Sequence, residues 1–448
     1  MKLRTGLSCV IGLGLLALGV LSSGAAETGA ERIVSRTLDN GMKIIVWPDH
    51  DIPNVAMYNW VRAGGRNEAP GISGLSHFFE HMMFNGTSRR SPGAFDREME
   101  ANGGSNNAYT SADVTVYQDW FPSAALEVIF DLEGDRLANL SFDPAVIESE
   151  RGVVTSERRS SVDNSNFGVL YEQVRSSAYI AHPYHIPVIG WPSDIAAWTV
   201  EDLRNYFTTY YAPNNCTMIF VGDVTPEQVF GLADTYFAPI PAQEPPPAVR
   251  TQEPEQLGER RLMVHKPVQT PLIAVAYKSP QANAEQGPAL DLLIDILGGG
   301  ESSRLYRALV ETNLAISIDT FRHEGFDPGL TWFFLTLPQG GDPDAVEARL
   351  YSELEKVIRD GVTDAELAKA RRRVVADFWR GLSTINGKAS ALGQYEIFHG
   401  DYAKLFDVPK QYAAIDAQAL RDVASDVFNA NRRTVGQLIA PVEQEQQP

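Results

Sequence analysis

At 448 residues the chain is too long for one small hydrophobic core and predicts two or more domains. Its balance of 44% hydrophobic and 21% charged residues excludes a disordered body. A formal charge of −19 excludes a nucleic-acid partner, which requires Lys and Arg clustered against phosphates.

Lys2 and Arg4 precede an apolar run from Leu7 to Leu21, and small residues follow, Ser22-Ser23-Gly24-Ala25-Ala26. This is the layout of a cleavable secretory signal over residues 1–26. The apolar run is short for a membrane span, and no span is expected once the signal is removed. Cleavage would leave one cysteine, Cys216, so stability must come from the core and not from an internal disulfide. Cys216 adjoins an apolar strand and is expected to be buried and inert. A bacterial, Gram-negative periplasm fits these features.

A first domain is expected over residues 31–239. Ile33–Leu38 and Met42–Trp47 flank Asn40-Gly41, a hairpin signal. Val55–Arg62 reads as a strand, and helical patterns follow around 74–84, 94–101, 124–139 and 144–160. Asn107–Phe121 reads as one strand, Glu201–Tyr211 as a helix and Thr217–Val221 as a strand. Prolines crowd residues 240–258, the composition of a linker. The pattern then restarts over 259–440, with strands at Arg261–His265 and Leu272–Tyr277, a helix at Ala289–Leu297 and a last strand at Val435–Ile439. Trp332, Phe333 and Phe334 read as core, and residues 441–448 as a polar tail. Leu203, Arg204, Asn214 and Thr217 recur as Leu420, Arg421, Asn431 and Thr434, each 217 residues later. Both copies read as helix, turn and strand, which points to duplication of one domain.

His77-Phe78-Phe79-Glu80-His81 falls in an apolar helical stretch. Residues three and four apart share a helix face, so His77, Glu80 and His81 point the same way. Two imidazoles at this spacing can grip zinc, and the carboxylate between them can take a proton from a bound water; the order reverses the commoner His-Glu-x-x-His motif. Catalytic zinc takes three protein ligands, so one more must come from elsewhere. Asp143 and Pro144 suit an N-cap and first helical position. On the helix they open, Glu150 and Glu157 lie seven residues apart and share a face. One of the two can ligate the metal while the other supports the site. His182 and His185 also have ligand-like spacing, but the prolines around them argue for a loop.

The run Gly74-Leu75-Ser76-His77-Phe78-Phe79-Glu80-His81-Met82-Met83-Phe84-Asn85-Gly86-Thr87 resembles the inverted zinc motif of the pitrilysin, insulin-degrading enzyme and mitochondrial processing peptidase family. Arg62-Ala63-Gly64-Gly65-Arg66, Asn107-Ala108-Tyr109-Thr110 and Glu150-Arg151-Gly152-Val153-Val154 agree with that family too, and the likeness runs from about residue 33 to 440. The resemblance implies one Zn²⁺ per chain, held by His77, His81 and Glu157, the last standing 76 residues after His81. It implies Glu80 as general base, Glu150 as support for a ligand, and Asn107 and Ala108 on an edge strand that binds peptide substrates. It implies an α+β fold: two homologous α/β domains, each a mainly antiparallel sheet flanked by helices, forming half of a clam-shell. Active members also carry an Arg and a Tyr that bind substrate. Here Val310 and Ile316 stand in those places, and neither side chain can donate a hydrogen bond. The expectation is a zinc metalloendopeptidase subunit whose missing donors come from a homologous second subunit, in a heterodimer rather than a homodimer. Gly298-Gly299-Gly300 resembles the family's glycine-rich loop and reads equally as a helix connector. The alternatives are a non-catalytic peptide-binding or assembly subunit of the same fold, or a periplasmic metal-binding or chaperone module.

Overall fold

The computed structural model describes residues 29–441, so the expected signal and most of the polar tail lie outside the described residues. The first half forms a six-stranded sheet from β1 (Val34–Thr37), β2 (Lys43–Pro48), β3 (Asn54–Val61), β4 (Ser105–Thr110), β5 (Thr115–Pro122) and β6 (Cys216–Gly222). Their order is β1-β2-β6-β3-β5-β4. The helices of this half are α1 (Leu75–Met82), α2 (Ala94–Ala101), α3 (Leu126–Asn139), α4 (Pro144–Arg158), α5 (Asn166–Ala178), α6 (Pro192–Ala197), α7 (Val200–Tyr210) and α8 (Pro226–Tyr236).

The second half forms a five-stranded sheet from β7 (Arg260–His265), β8 (Leu272–Ser279), β9 (Ser317–Arg322), β10 (Gly329–Thr336) and β11 (Arg433–Ile439), in the order β7-β11-β8-β10-β9. Its helices are α9 (Gly287–Gly298), α10 (Pro343–Asp360), α11 (Asp364–Gly381), α12 (Ile385–His399), α13 (Val408–Ala414) and α14 (Ala417–Val427). Apart from β1, the two sheets have the same topology. In each, the first and last strands pair in parallel, β2 with β6 and β7 with β11. The remaining pairs of that shared topology are antiparallel. The repeat seen in the sequence is exact in its last elements. The bounds of α7 and α14, and of β6 and β11, all differ by 217 residues.

One expectation is corrected. Residues 107–121 form two strands of a hairpin, not one strand. The Ser111 hydroxyl accepts from the backbone amides of Asp113 and Val114, and the Ser111 amide donates to the Val114 carbonyl, which closes the turn. The hairpin leaves β4 at the sheet edge, paired with β5 alone.

Each sheet packs helices of its own half on one face. In the first, Val55, Met57, Tyr117 and Phe220 meet Phe78, Phe79, Phe130 and Leu203. In the second, Val275, Phe333 and Val435 meet Leu290, Leu293, Leu350 and Leu420. The opposite faces are covered by helices from the other half. Trp47, Tyr58, Trp60 and Val221 bury against Ile385, Ala389 and Leu392 of α12. Ala274, Ala276, Trp332 and Phe334 bury against Leu170 and Val174 of α5. Residues 241–257 carry no regular element. Among the described residues no helix is long and apolar enough to cross a membrane.

Candidate metal centre

The site is built on two helices. Leu75, Phe78, Phe79 and Met82 bury one stripe of α1 in the core, at the spacing of a single helix face. That leaves His77, Glu80 and His81 on the opposite side. The N-cap of α1, Gly74, sits at φ 88° and has no side chain to cap with. Glu68 takes over that task from a preceding loop. Its carboxylate accepts from the amides of Gly74 (2.6 Å) and Ser76 (2.7 Å). Asp194 accepts from the amides of Gly71 and Ser73 just before the helix.

Helix α4 opens as expected, with Asp143 accepting from the Ala145 amide and Pro144 in the first turn. It ends in a π-helical turn, Arg159–Asp163. Arg158 is buried there, making two 2.9 Å bonds to Glu172 of α5 and one of 2.8 Å to the Gly190 carbonyl. This fork fixes the end of α4 that carries Glu157.

His77, His81 and Glu157 converge, with one ligand atom from each lying within 4.8 Å of the others. Glu157 Oε1 is 3.5 Å from His77 Nε2, and its Oε2 is 3.3 Å from His81 Nε2. Donor atoms around one tetrahedral zinc ion lie roughly 3.4 Å apart, so these residues fit that metal. Glu150 lies behind the cluster. It contacts His81 Nδ1 at 2.8 Å and accepts from Asn85 Nδ2 at 3.0 Å, which orients the imidazole. His77 Nδ1 is buried without a hydrogen-bond partner among the described residues, so no second carboxylate backs that ring.

The contacts with His77, then His81, hold the Glu157 carboxyl well below the usual range. Burial disfavours the His81 imidazolium, but Glu150 and Glu157 outweigh it and push the group up to about 9. A metal held by His81 would therefore have to displace a proton.

Glu80 lies beside the cluster, and one carboxylate oxygen accepts from the Thr110 hydroxyl at 2.6 Å. Thr110 is the last residue of β4. Asn107 and Ala108 lie earlier on the same edge strand, the first exposed and the second half-buried. Thr110 and Glu68 were not singled out from the sequence. The segment Asn107-Ala108-Tyr109-Thr110 was the available signal for Thr110; Glu68 carries none, because an acid in a loop ordinarily faces water.

A polar junction links the two halves. Arg66 pairs with Asp327 of the second half and lies 3.5 Å from Asp113, whose carboxyl burial pushes up to about 6. Tyr184 donates to Asp113 at 2.7 Å, and His182 contacts Asp327 at 3.1 Å. His182 is therefore engaged in this junction, and among the described residues the only group of three or more potential ligands is His77, His81 and Glu157. Cys216 is buried and free, its thiol pushed up to about 12 by burial. Gly298 and Gly299 are explained by packing. A Cβ on the first would meet the Thr320 side chain at 2.2 Å, and one on the second the Asp295 carbonyl at 2.4 Å.

Val310 and Ile316 lie far along the chain in the second half; Ile316 is 54% exposed and follows a turn in which Asn313 adopts φ 60°. No side-chain donor stands at either place.

Comparison with known proteins agrees over most of the chain. The family model described as Insulinase (Peptidase family M16) matches residues 44–190, and that described as Peptidase M16 inactive domain matches residues 197–374. A protein named zinc protease PqqE, from Helicobacter pylori, is 31% identical over 433 residues, covering 94% of this chain and 97% of that protein. The crystal structure of a protease from the same organism superposes with a TM-score of 0.88 at 31% identity, covering 91% of this chain and 99% of that one. The periplasmic protease PqqL from Escherichia coli shares the fold, with a TM-score of 0.77 at 21% identity over 92% of this chain and 48% of that chain.

Proposed function

Because the chain belongs to peptidase family M16, we propose that it is a zinc metalloendopeptidase subunit that hydrolyses peptides or unfolded polypeptides. The observation that carries this reading is the convergence of His77, His81 and Glu157 beside Glu80 and a free strand edge. Zinc held by those three residues would supply a Lewis acid and bring the pKa of a water toward neutrality.

The chain's own residues do the rest. An extended peptide adds to the free edge of β4, along Asn107 and Ala108, which sets its carbonyl beside the metal centre. Thr110 holds one oxygen of Glu80 and fixes the rotamer, leaving the other to take a proton from the attacking water. Glu80 then returns that proton to the leaving amine nitrogen. Glu150 keeps His81 in register throughout.

Stabilising the carbonyl oxygen needs donors that Val310 and Ile316 do not provide. A second, homologous subunit supplying an Arg and a Tyr completes the centre in this reading. The Escherichia coli periplasmic protease, of which this chain covers about half, supports a two-part assembly and an exported location.

The test compares Glu80→Gln with the parent for zinc content and peptide hydrolysis. Retained zinc with turnover reduced at least about 100-fold is expected. Unchanged turnover would remove Glu80 from the mechanism, and a parent that binds peptides without cleaving them would favour a non-catalytic subunit.

A further inference from the structure

Behind the metal helix the first half buries three charged side chains together. Asp119, Glu133 and Arg136 are each 1% exposed or less. Such side chains are almost never fully buried unless paired. Arg136 pairs with Glu133, one helical turn earlier on α3. Three aromatic rings also bear on it: its guanidinium lies 4.6 Å from the ring centres of Phe95 and Tyr117 and 5.2 Å from that of Phe84. Burial first, then the charge of Glu133, pushes the Asp119 carboxyl well up, while Arg136 acts the other way. The acid pair thus keeps one proton, and the cluster carries no net charge.

Two of the rings lead to the metal helix. The Tyr117 hydroxyl donates to the Phe79 carbonyl at 3.0 Å, between His77 and His81 along α1. Phe84 follows His81 by three residues. The next residue, Asn85, donates to the His81 carbonyl at 3.1 Å and to Glu150 at 3.0 Å. Tyr117 and Asp119 share a face of β5, and on β4 they stand opposite Ala108 and Asn106. One guanidinium therefore bears on both the helix that offers the metal ligands and the hairpin that carries Thr110.

We propose that Arg136, together with Asp119 and Glu133, is a positioning group for the metal centre: it holds Phe84 and Tyr117 so that α1 keeps its place against the β4–β5 hairpin and presents His77, Glu80 and His81 in one geometry. A planar guanidinium orients the rings that lie against it, which an aliphatic side chain of equal bulk does not do. Stability does not account for the group, since apolar replacement of a buried ion pair is often neutral or stabilising. The inference deepens the zinc peptidase reading above and rests on its metal centre. A purely structural role makes a different prediction: altering the cluster would lower stability and leave metal binding alone.

The test uses the full chain in two variants. Asp119→Asn, Glu133→Gln and Arg136→Met together remove every charge at nearly constant volume, whereas Arg136→Lys keeps the charge and loses the plane. Zinc affinity is read by competition with a chromophoric chelator, ligand geometry by the visible absorption bands of bound Co²⁺, and stability by the urea midpoint of the metal-free protein. The triple variant is expected to bind zinc about ten-fold more weakly, with altered Co²⁺ bands. Arg136→Lys should weaken binding in the same direction, and it decides the matter by the same readings if the triple variant does not fold. Parental zinc affinity and parental Co²⁺ bands in the deciding variant overturn the positioning role, even with a lowered midpoint. A parent that binds no zinc overturns the metal centre and the inference with it. A parent that binds zinc without cleaving peptides overturns the peptidase reading alone, and the zinc affinities still decide the role of the cluster.

Discussion

Glu68 is an acid with no cation against it among the described residues, kept in the interior because it caps the helix that carries both histidines. Burial above all, with Asp194 adding a little, pushes its carboxyl up from the ordinary 4.5 to about 8. Between those values the folded protein holds a proton that the unfolded chain has released. Its contribution to stability is thus fully present below about pH 4.5 and is lost as the pH rises through about 8. Thermal midpoints measured across that window should fall in the parent by a few degrees more than in Glu68→Gln, which has no proton to lose. Identical pH slopes would show that Glu68 does not titrate there. The two histidines and their spacing were legible as a metal grip because helix geometry is local. Thr110 was not, because its partner Glu80 lies on another element 30 residues away, and Glu68 was not, because an acid in a loop ordinarily faces water.

At the scale of elements, sequence patterns located those strands and helices whose two sides meet different surroundings. The sequence reading missed the turn between β4 and β5, because Ser111-Ala112-Asp113-Val114 has neither glycine nor an Asn-Gly pair, and a serine hydroxyl closes it instead. It also missed α5, which packs on the second half's sheet, and it did not delimit α12, which packs on the first half's. Apolar residues of α12 do not gather on one stripe, since the helix meets both that sheet and neighbouring helices. Gly393 is where it comes closest: a Cβ there would meet the Trp60 ring at 2.1 Å. Gly393→Val should therefore destabilise the protein by about 1–3 kcal/mol, read as a lower urea midpoint. A variant with the parental midpoint would mean the helix can shift off the sheet at no cost.

At the scale of the whole molecule, the two halves are repeats that do not stand alone. Each leaves one sheet face apolar unless the other supplies α12 or α5. Proteolytic cutting within residues 241–257, which hold no regular element, should leave two fragments that co-elute on size exclusion. Separation of the fragments in native buffer would show that the exchanged helices contribute little. The same scale governs activity. The purified chain should hydrolyse peptides weakly, and a homologous subunit bearing the missing Arg and Tyr should raise the rate about 100- to 1000-fold. Full activity without a partner would remove the need for the second subunit.

The sequence by itself determined the inverted motif, the helix offering Glu150 and Glu157, the membership of family M16 and the duplicated design. Each of these is written in spacings along the chain, which set helix faces and repeat lengths before any long-range contact forms. Only the tertiary structure decided which further residues serve the site: Glu68 under α1, Thr110 on Glu80 and Arg158 behind Glu157. Those contacts are made between separate elements or from a loop to a helix end, at separations that follow no helix or strand period. No local pattern encodes them, because they form only when the loops, strands and helices of the first half are packed together.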